Sequence, residues 1–321
     1  MMTPSLKLST GSAIPCIGLG TWQSAPGEVA TAVKAAIHAG YRHLDCASNY
    51  HNEHEIGAAL EEVFAAGKVK RGDVFLTSKL NNPYHRKEHV KPQLLKTLKD
   101  LKIEYLDLWL MHWPIAFKYV AFDPEKVGIE AYASSPDDAA AGKNIDHGVS
   151  IRETWEAMQE CYDQGLVKAI GVSNFTAPLI HDLLTYAKVK PAVNQVESHP
   201  YCQQKALLAY EKRLGIVFEA YSPLGTSGFA SPDEPHLLSD PVLNTIAQKH
   251  NVTPAAVALR WGVQRGTVVI PKSVHENRIK ENLKVTEFAL DEDDMAKIAT
   301  IDKNHHYLRP NDWYGIPLFT P

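Results

Sequence analysis

Short apolar runs of strand type and longer runs of helical periodicity alternate eight times along this chain, at intervals of roughly thirty residues outside two insertions. Few folds accommodate that rhythm. A first strand is read at Ile17–Gly20, after a small hairpin in which Leu6–Leu8 and Ala13–Cys16 flank Ser9–Ser12. Val29, Val33, Ala36 and Ile37 recur at helical spacing, and Gly40 is a fitting stop. Further strands are expected over Tyr41–Leu44, Val74–Ser78, Leu106–Met111, Val167–Val172, Ala192–Val196, Ile216–Ala220 and Thr267–Ile270. Between them, helices are marked by Ile56, Leu60 and Val63, by Val90, Leu94, Leu98 and Leu101, and by the segments Ile151–Asp163, Ala177–Ala187, Gln203–Leu214 and Val242–Lys249. Asn277–Leu283 and Glu292–Ile301 close the series. The pattern predicts an α/β fold, a single (β/α)8 TIM barrel domain over 1–321, with an N-terminal β-hairpin and an extra C-terminal helix and tail. A doubly wound sheet would need a Gly-rich fingerprint after its first strand. Gly18 and Gly20 are present there, but the third glycine is missing.

Two stretches interrupt the alternation. Ile115–Val149 is rich in Ala, Asp, Pro and Gly, and loops of such length are usually functional or mobile. It ends at Ser150 and Glu153, which have capping-box spacing. Thr226–Asp240 is similar. The tail Tyr307–Pro321, with Trp313, Tyr314, Phe319 and three prolines, is expected to pack as an extended segment.

Composition narrows the class. A chain of 321 residues with 45% hydrophobic and 22% charged content is a soluble globular protein, long enough for one barrel. The net charge of -4 and scattered Lys and Arg favour neither nucleic acid nor an anionic membrane. Met1–Thr10 has no apolar run of the secretory kind, and Leu106–Trp113, broken by Asp107, is too short to span a bilayer. Cys16, Cys46, Cys161 and Cys202 are far apart, which reads as reduced thiols in a cytoplasmic protein. His305 and His306 lack partners at metal-ligand spacing, so no metal is expected.

In a barrel the carboxyl ends of the strands converge on one face, and that face carries function. Asp45, Lys79, His112, Ser173, Asn174, Gln195, Tyr221 and Lys272 all stand at such ends. Tyr50 follows Asp45 in a polar loop. Taken singly these residues have bland readings: a turn cap, a solvated lysine, a satisfied core histidine, a rim aromatic. Together they make chemistry. An unperturbed phenol, with a pKa of about 10, is a poor acid. Asp45 keeps Lys79 charged, and the ammonium is expected to lower the pKa of Tyr50. His112 can donate an N–H to a substrate oxygen.

These residues sit in recognisable motifs. Gly40–Asp45, Tyr50 with Asn52 and Glu53, Leu76 with Lys79, Asp107–Pro114, Gly171–Phe175, Asn194 with Gln195 and Glu197, and Ile270–Ser273 resemble the aldo-keto reductase family. The resemblance runs from about Leu6 to Ile301 and is strongest to the aldose- and xylose-reductase-like branch, including the long loop after the fourth strand. It implies NADPH-dependent reduction of aldehydes or aldoses, with Tyr50 as general acid, Lys79 and Asp45 tuning it and His112 orienting the carbonyl. It implies further that Ser173, Asn174 and Gln195 hold the nicotinamide carboxamide, that Tyr221 stacks on its ring and that Ser222–Leu224 line the pyrophosphate. Thr21, Trp22 and Val274 join the cofactor contacts. Lys272, Ser273 and Arg278 would receive the adenosine 2′-phosphate, with Glu281 and Asn282 at the adenine. Two cations and a hydroxyl after the eighth strand suit a phosphate on chemical grounds as well. Trp22 and Trp113 would line the substrate pocket beside Tyr50 and His112.

One departure stands out. Family members often carry a tryptophan in the loop after the seventh strand, whereas Thr226–Pro235 has only Phe229, so a differently shaped or more open pocket is expected. The other readings are oxidation of an alcohol or polyol with NADP+ and a non-catalytic cofactor-binding barrel; the intact set of four argues against the second. The expected partner is a small carbonyl compound, and the expected state is monomer or homodimer.

Overall fold

The last strand of the main sheet hydrogen-bonds back to the first, so the sheet closes on itself. The computed structural model describes residues 4–123, 136–225 and 233–319. Strands β1 (Ser5–Lys7) and β2 (Ala13–Pro15) form the antiparallel hairpin. Eight parallel strands follow in chain order: β3 (Leu19–Gly20), β4 (His43–Asp45), β5 (Phe75–Leu80), β6 (Leu108–Met111), β7 (Ile170–Ser173), β8 (Val193–Glu197), β9 (Val217–Tyr221) and β10 (Val268–Val269). Closure is made by Gly18 N–H to Val269 O at 2.9 Å, Gly20 N–H to Pro271 O at 3.2 Å and Val269 N–H to Cys16 O at 2.9 Å. An open doubly wound sheet leaves its outer strands unpaired; here they meet, and the fold is the (β/α)8 barrel.

Helices α1 (Glu28–Ala39), α2 (Glu53–Ala65), α3 (Lys87–Asp100), α4 (Pro136–Ala140), α5 (Ile151–Asp163), α6 (Ala177–Leu184) and α7 (Lys205–Leu214) precede α8 (Pro241–His250), α9 (Pro254–Gln264), α10 (Glu276–Leu283), α11 (Glu292–Ala299) and α12 (Pro310–Tyr314). Gly40 ends α1 at φ 113°, a conformation open to glycine without strain. Ser150 Oγ accepts from Glu153 N–H at 3.1 Å, half of the expected capping box; the Glu153 carboxylate instead accepts from Lys87 N–H at 3.1 Å.

Strand alternation divides the core in two. Along β6, Trp109 and Met111 face outward to the helices, while Leu108 and Leu110 face the barrel axis with Phe75, Val193, Val217 and Val268. Leu8 and Ile14 of the hairpin join this inner cluster and close the floor. The opposite end is left for polar side chains.

The structure departs from the sequence reading in places. Val242–Lys249 lies in α8, which packs outside the barrel on α9 and α11; α9 is the helix that covers β10. Helix α9 buries Val257, Ala258, Leu259, Trp261 and Gly262 and is absent from the sequence reading. The tail packs as expected, and its partners are Trp113 and Phe117, but it turns through α12 rather than staying extended. Phe229 and parts of both insertions lie outside the described residues.

Gly57 marks the tightest helix contact. A methyl there would run into the Asp100 carbonyl and come within 2.9 Å of Leu101 Cα. Gly57→Ala therefore forces α2 and α3 apart. The expected cost is about 1–3 kcal/mol, seen as a lower urea midpoint with an unchanged slope. A parent-like midpoint would show that the contact yields.

Candidate active site

The four residues at the centre are brought together by register. Asp45 ends β4 opposite Thr77 of β5, and Lys79 lies two residues on, on the same inward face. Lys79 is within β5, one step deeper than the strand end expected from sequence, and its side chain is fully buried. A 3-10 turn at Ser48–Tyr50, left by His51 at φ 56°, turns the Tyr50 ring back over it. Lys79 Nζ donates to both Asp45 oxygens, at 2.8 and 2.7 Å, to Cys46 O at 3.0 Å and to the Tyr50 hydroxyl at 3.1 Å. His112 follows β6, tied by its N–H to Leu80 O at 3.1 Å, and meets the Tyr50 ring edge-on at 5.8 Å between centroids.

Electrostatics sharpen these roles and qualify one expectation. Burial works against the Lys79 charge, but Asp45 and Tyr50 outweigh it, so its pKa is raised and the group is an ammonium. Lys79 pulls the Tyr50 pKa down, as expected, but it does not set the net shift. Burial instead pushes it up to about 12, against the downward pull of Lys79 and with Asp45 adding to the rise. Burial, then Lys79 and His85, hold His112 well below the ordinary histidine range. It is a neutral imidazole with one N–H to give.

Around this centre, Asn174 at φ 65° donates from Nδ2 to His112 O at 3.0 Å and to Ser173 Oγ at 3.2 Å, while its Oδ1 accepts from the Tyr221 hydroxyl at 2.8 Å. Ser173 Oγ donates to Gln195 O at 2.7 Å. Thr21 Oγ donates to Asp45 O at 2.8 Å. A cavity of about 810 Å³ runs over this floor, and every residue singled out from sequence reaches its wall except Lys79, which stands behind Asp45 and Tyr50. Ser222 at φ 47° and Gly225 at φ 68° shape the turn after β9 beside Leu224, and a methyl on Gly225 would strike the Tyr307 ring. At the far end Lys272 Nζ donates to Gln23 O at 3.0 Å, and Ser273 Oγ accepts from His275 N–H at 3.1 Å. Arg278 and Glu281 are exposed, Val274 is half-buried and Asn282 is buried. No ion pair engages Arg278 among the described residues, so its fork is open to an anion.

The aldo/keto reductase family model matches residues 16–303. The chain belongs to the aldo-keto reductase family. It is an oxidoreductase of carbonyl and CH–OH groups, of the aldehyde- and aldose-reducing kind. This reductase is 47% identical over 308 residues to aldo-keto reductase family 1 member A1 of Gallus gallus, covering 95% of this chain and 90% of that one. It is 48% identical over 307 residues to aldose reductase B of Dictyostelium discoideum, at 95% and 94% coverage. The structure of the aldose reductase from Schistosoma japonicum superposes with a TM-score of 0.87 at 39% identity, over 98% of this chain and 97% of that one.

The reductase has pocket walls that the strand-end argument missed. Tyr307, Leu308 and Tyr314 of the tail line the cavity, and Trp113 packs against Tyr314 at 5.4 Å between centroids. Trp22 stands 6.4 Å from the Tyr50 ring. The aromatic content of the tail was the available signal. No helix among the described residues is long and apolar enough to cross a membrane.

Proposed function

We propose that this reductase uses NADPH to reduce aldehyde and aldose carbonyls to alcohols, with Tyr50 as the proton donor. The observation that carries the reading is the Lys79 ammonium, 3.1 Å from the Tyr50 hydroxyl and held from behind by both oxygens of Asp45. NADPH supplies the hydride when bound. Tyr50 gives its proton to the carbonyl oxygen as that oxygen becomes an alkoxide, a stronger base than a phenolate. A phenol held near 12 keeps its proton until then. Lys79 stabilises the phenolate that remains, and neutral His112 offers its N–H to the same oxygen.

The residues present fit the cofactor. Gln195 Nε2 is spent on two carboxyl groups, at 2.8 and 3.0 Å, which leaves its Oε1 to accept from a carboxamide. Tyr221 offers a ring face, and Lys272, Ser273 and Arg278 offer an anion site. We read the chain as one domain over 1–321, a monomer or homodimer acting on a small carbonyl compound. Four buried free cysteines support a reducing compartment such as the cytoplasm.

Arg278→Ala tests the cofactor assignment. A charged hydrogen bond contributes roughly 1.5–3 kcal/mol, so NADPH binding should weaken about 10–150-fold while NADH, which lacks the phosphate, barely changes. Fluorescence titration of both cofactors measures this. Equal weakening of the two would mean that Arg278 shapes the loop and does not read the phosphate.

A further inference from the structure

Beneath the Asp45–Lys79 pair lies a second buried carboxyl group that the proposed mechanism does not use. Glu219, in the middle of β9, is fully buried and stands directly opposite Gln195 of β8. The Gln195 amide nitrogen has two hydrogens. One goes to Asp45 Oδ1 at 2.8 Å and the other to Glu219 Oε2 at 3.0 Å. Asp45, paired with the Lys79 ammonium, can only accept, and Glu219 Oε2 takes the second amide hydrogen, so together they hold the nitrogen of the amide down and leave its oxygen facing the cavity. Glu219 Oε1 has no hydrogen-bond partner and lies 3.5 Å from His43 Nε2, which also contacts Thr77 Oγ at 3.2 Å.

We propose that Glu219 is a positioning residue of this active site: through the Gln195 amide it sets the amide oxygen toward the cofactor and links the Asp45–Lys79 pair to a buried acid on the barrel axis. The inference rests on the NADPH-dependent reading of function. The facing groups define its charge state. His43 and Asp45 come from β4 and Lys79 from β5, while β8 supplies uncharged Gln195 and β10 supplies Val268. His43 is driven by burial down to about 3 and is neutral, so Lys79 is the one cation for two carboxyl groups. Burial, then the Asp45 charge, pushes Glu219 up to about 8. It therefore carries a proton at neutral pH. Its ionisation above that adds a negative charge beside Asp45, which makes release of the Tyr50 proton harder and slows turnover.

Two variants test the two halves. Glu219→Leu deletes one of the two acceptors, leaves the Gln195 amide held by Asp45 alone and should raise the NADPH Kd about tenfold. Glu219→Gln keeps an acceptor oxygen but has no proton to lose. It should restore the NADPH Kd to within about threefold of the parent's. The parent's kcat is expected to fall between roughly pH 7 and 9, and that fall should be absent from Glu219→Gln. Fluorescence titration and kcat with one aldehyde across that range give both readouts. If Glu219→Leu does not fold, the pH profile of Glu219→Gln decides alone. A parent-like NADPH Kd in Glu219→Leu, or an unchanged pH profile in Glu219→Gln, overturns the proposal and leaves the function standing. A parent that binds no NADPH and reduces no aldehyde overturns the reading of function on which it rests.

Discussion

Tyr50→Phe abolishes carbonyl reduction and leaves NADPH binding nearly unchanged. The substitution removes one oxygen from a ring that otherwise keeps its contacts with Trp22 and His112. Of the other phenols that line the cavity, Tyr221 commits its hydroxyl to Asn174 Oδ1 at 2.8 Å and Tyr307 commits its own to Pro235 O at 2.5 Å, and Tyr314 packs on Trp113. A positioned acid contributes about 10²–10⁴-fold, and loss of the sole donor sets that as the least expected effect. Steady-state kinetics beside a cofactor titration read the split. Turnover within a few-fold of the parent would take Tyr50 out of the mechanism.

Lys79→Met damages turnover as severely by another route, and it also weakens the fold. Methionine of similar length fills the space but makes none of the four bonds from Nζ. Tyr50 loses the group that pulls its pKa down, so it holds its proton more tightly still. Asp45, 2% exposed, keeps only Gln195 as a side-chain donor among the described residues. Removing one partner of a buried pair costs about 3–5 kcal/mol. The sign with pH is fixed by the raised pKa of Lys79. Its contribution is complete below the ordinary lysine value of about 10.4 and is lost only above it, so the deficit is present at neutral pH. Denaturant melts and a pH–rate profile test the two parts. Normal stability with an unshifted profile would contradict both.

The barrel was legible because each strand is a short apolar run followed by a helix of clear period, and because polar residues recur at strand ends. His112 and Gln195 could be placed that way, and Asp45 with Lys79 could be paired across adjacent strands. What sequence does not carry is depth. Lys79 does pull the Tyr50 pKa down, as its place beside the phenol implies, but burial outweighs that pull and the net shift is upward. Glu219 lies inside the strand read at Ile216–Ala220, but its place against Gln195 and His43 depends on how the strands assemble. The α8 and α9 pair misled for a related reason. The two helices are alike in amphipathicity, so pattern alone does not say which of them covers the last strand. The tail's aromatic content marks it as a packing segment, but not that Tyr307 and Tyr314 line the cavity.

The central claim is that the site is a working carbonyl reductase and not a barrel that merely holds a cofactor. The most direct measurement follows oxidation of NADPH by the purified chain with a panel of simple aldehydes and aldoses, with the product identified in the same sample. The account predicts one alcohol formed for each NADPH consumed, and no consumption without a carbonyl compound. Tight NADPH binding with no alcohol formed from any member of the panel would contradict it.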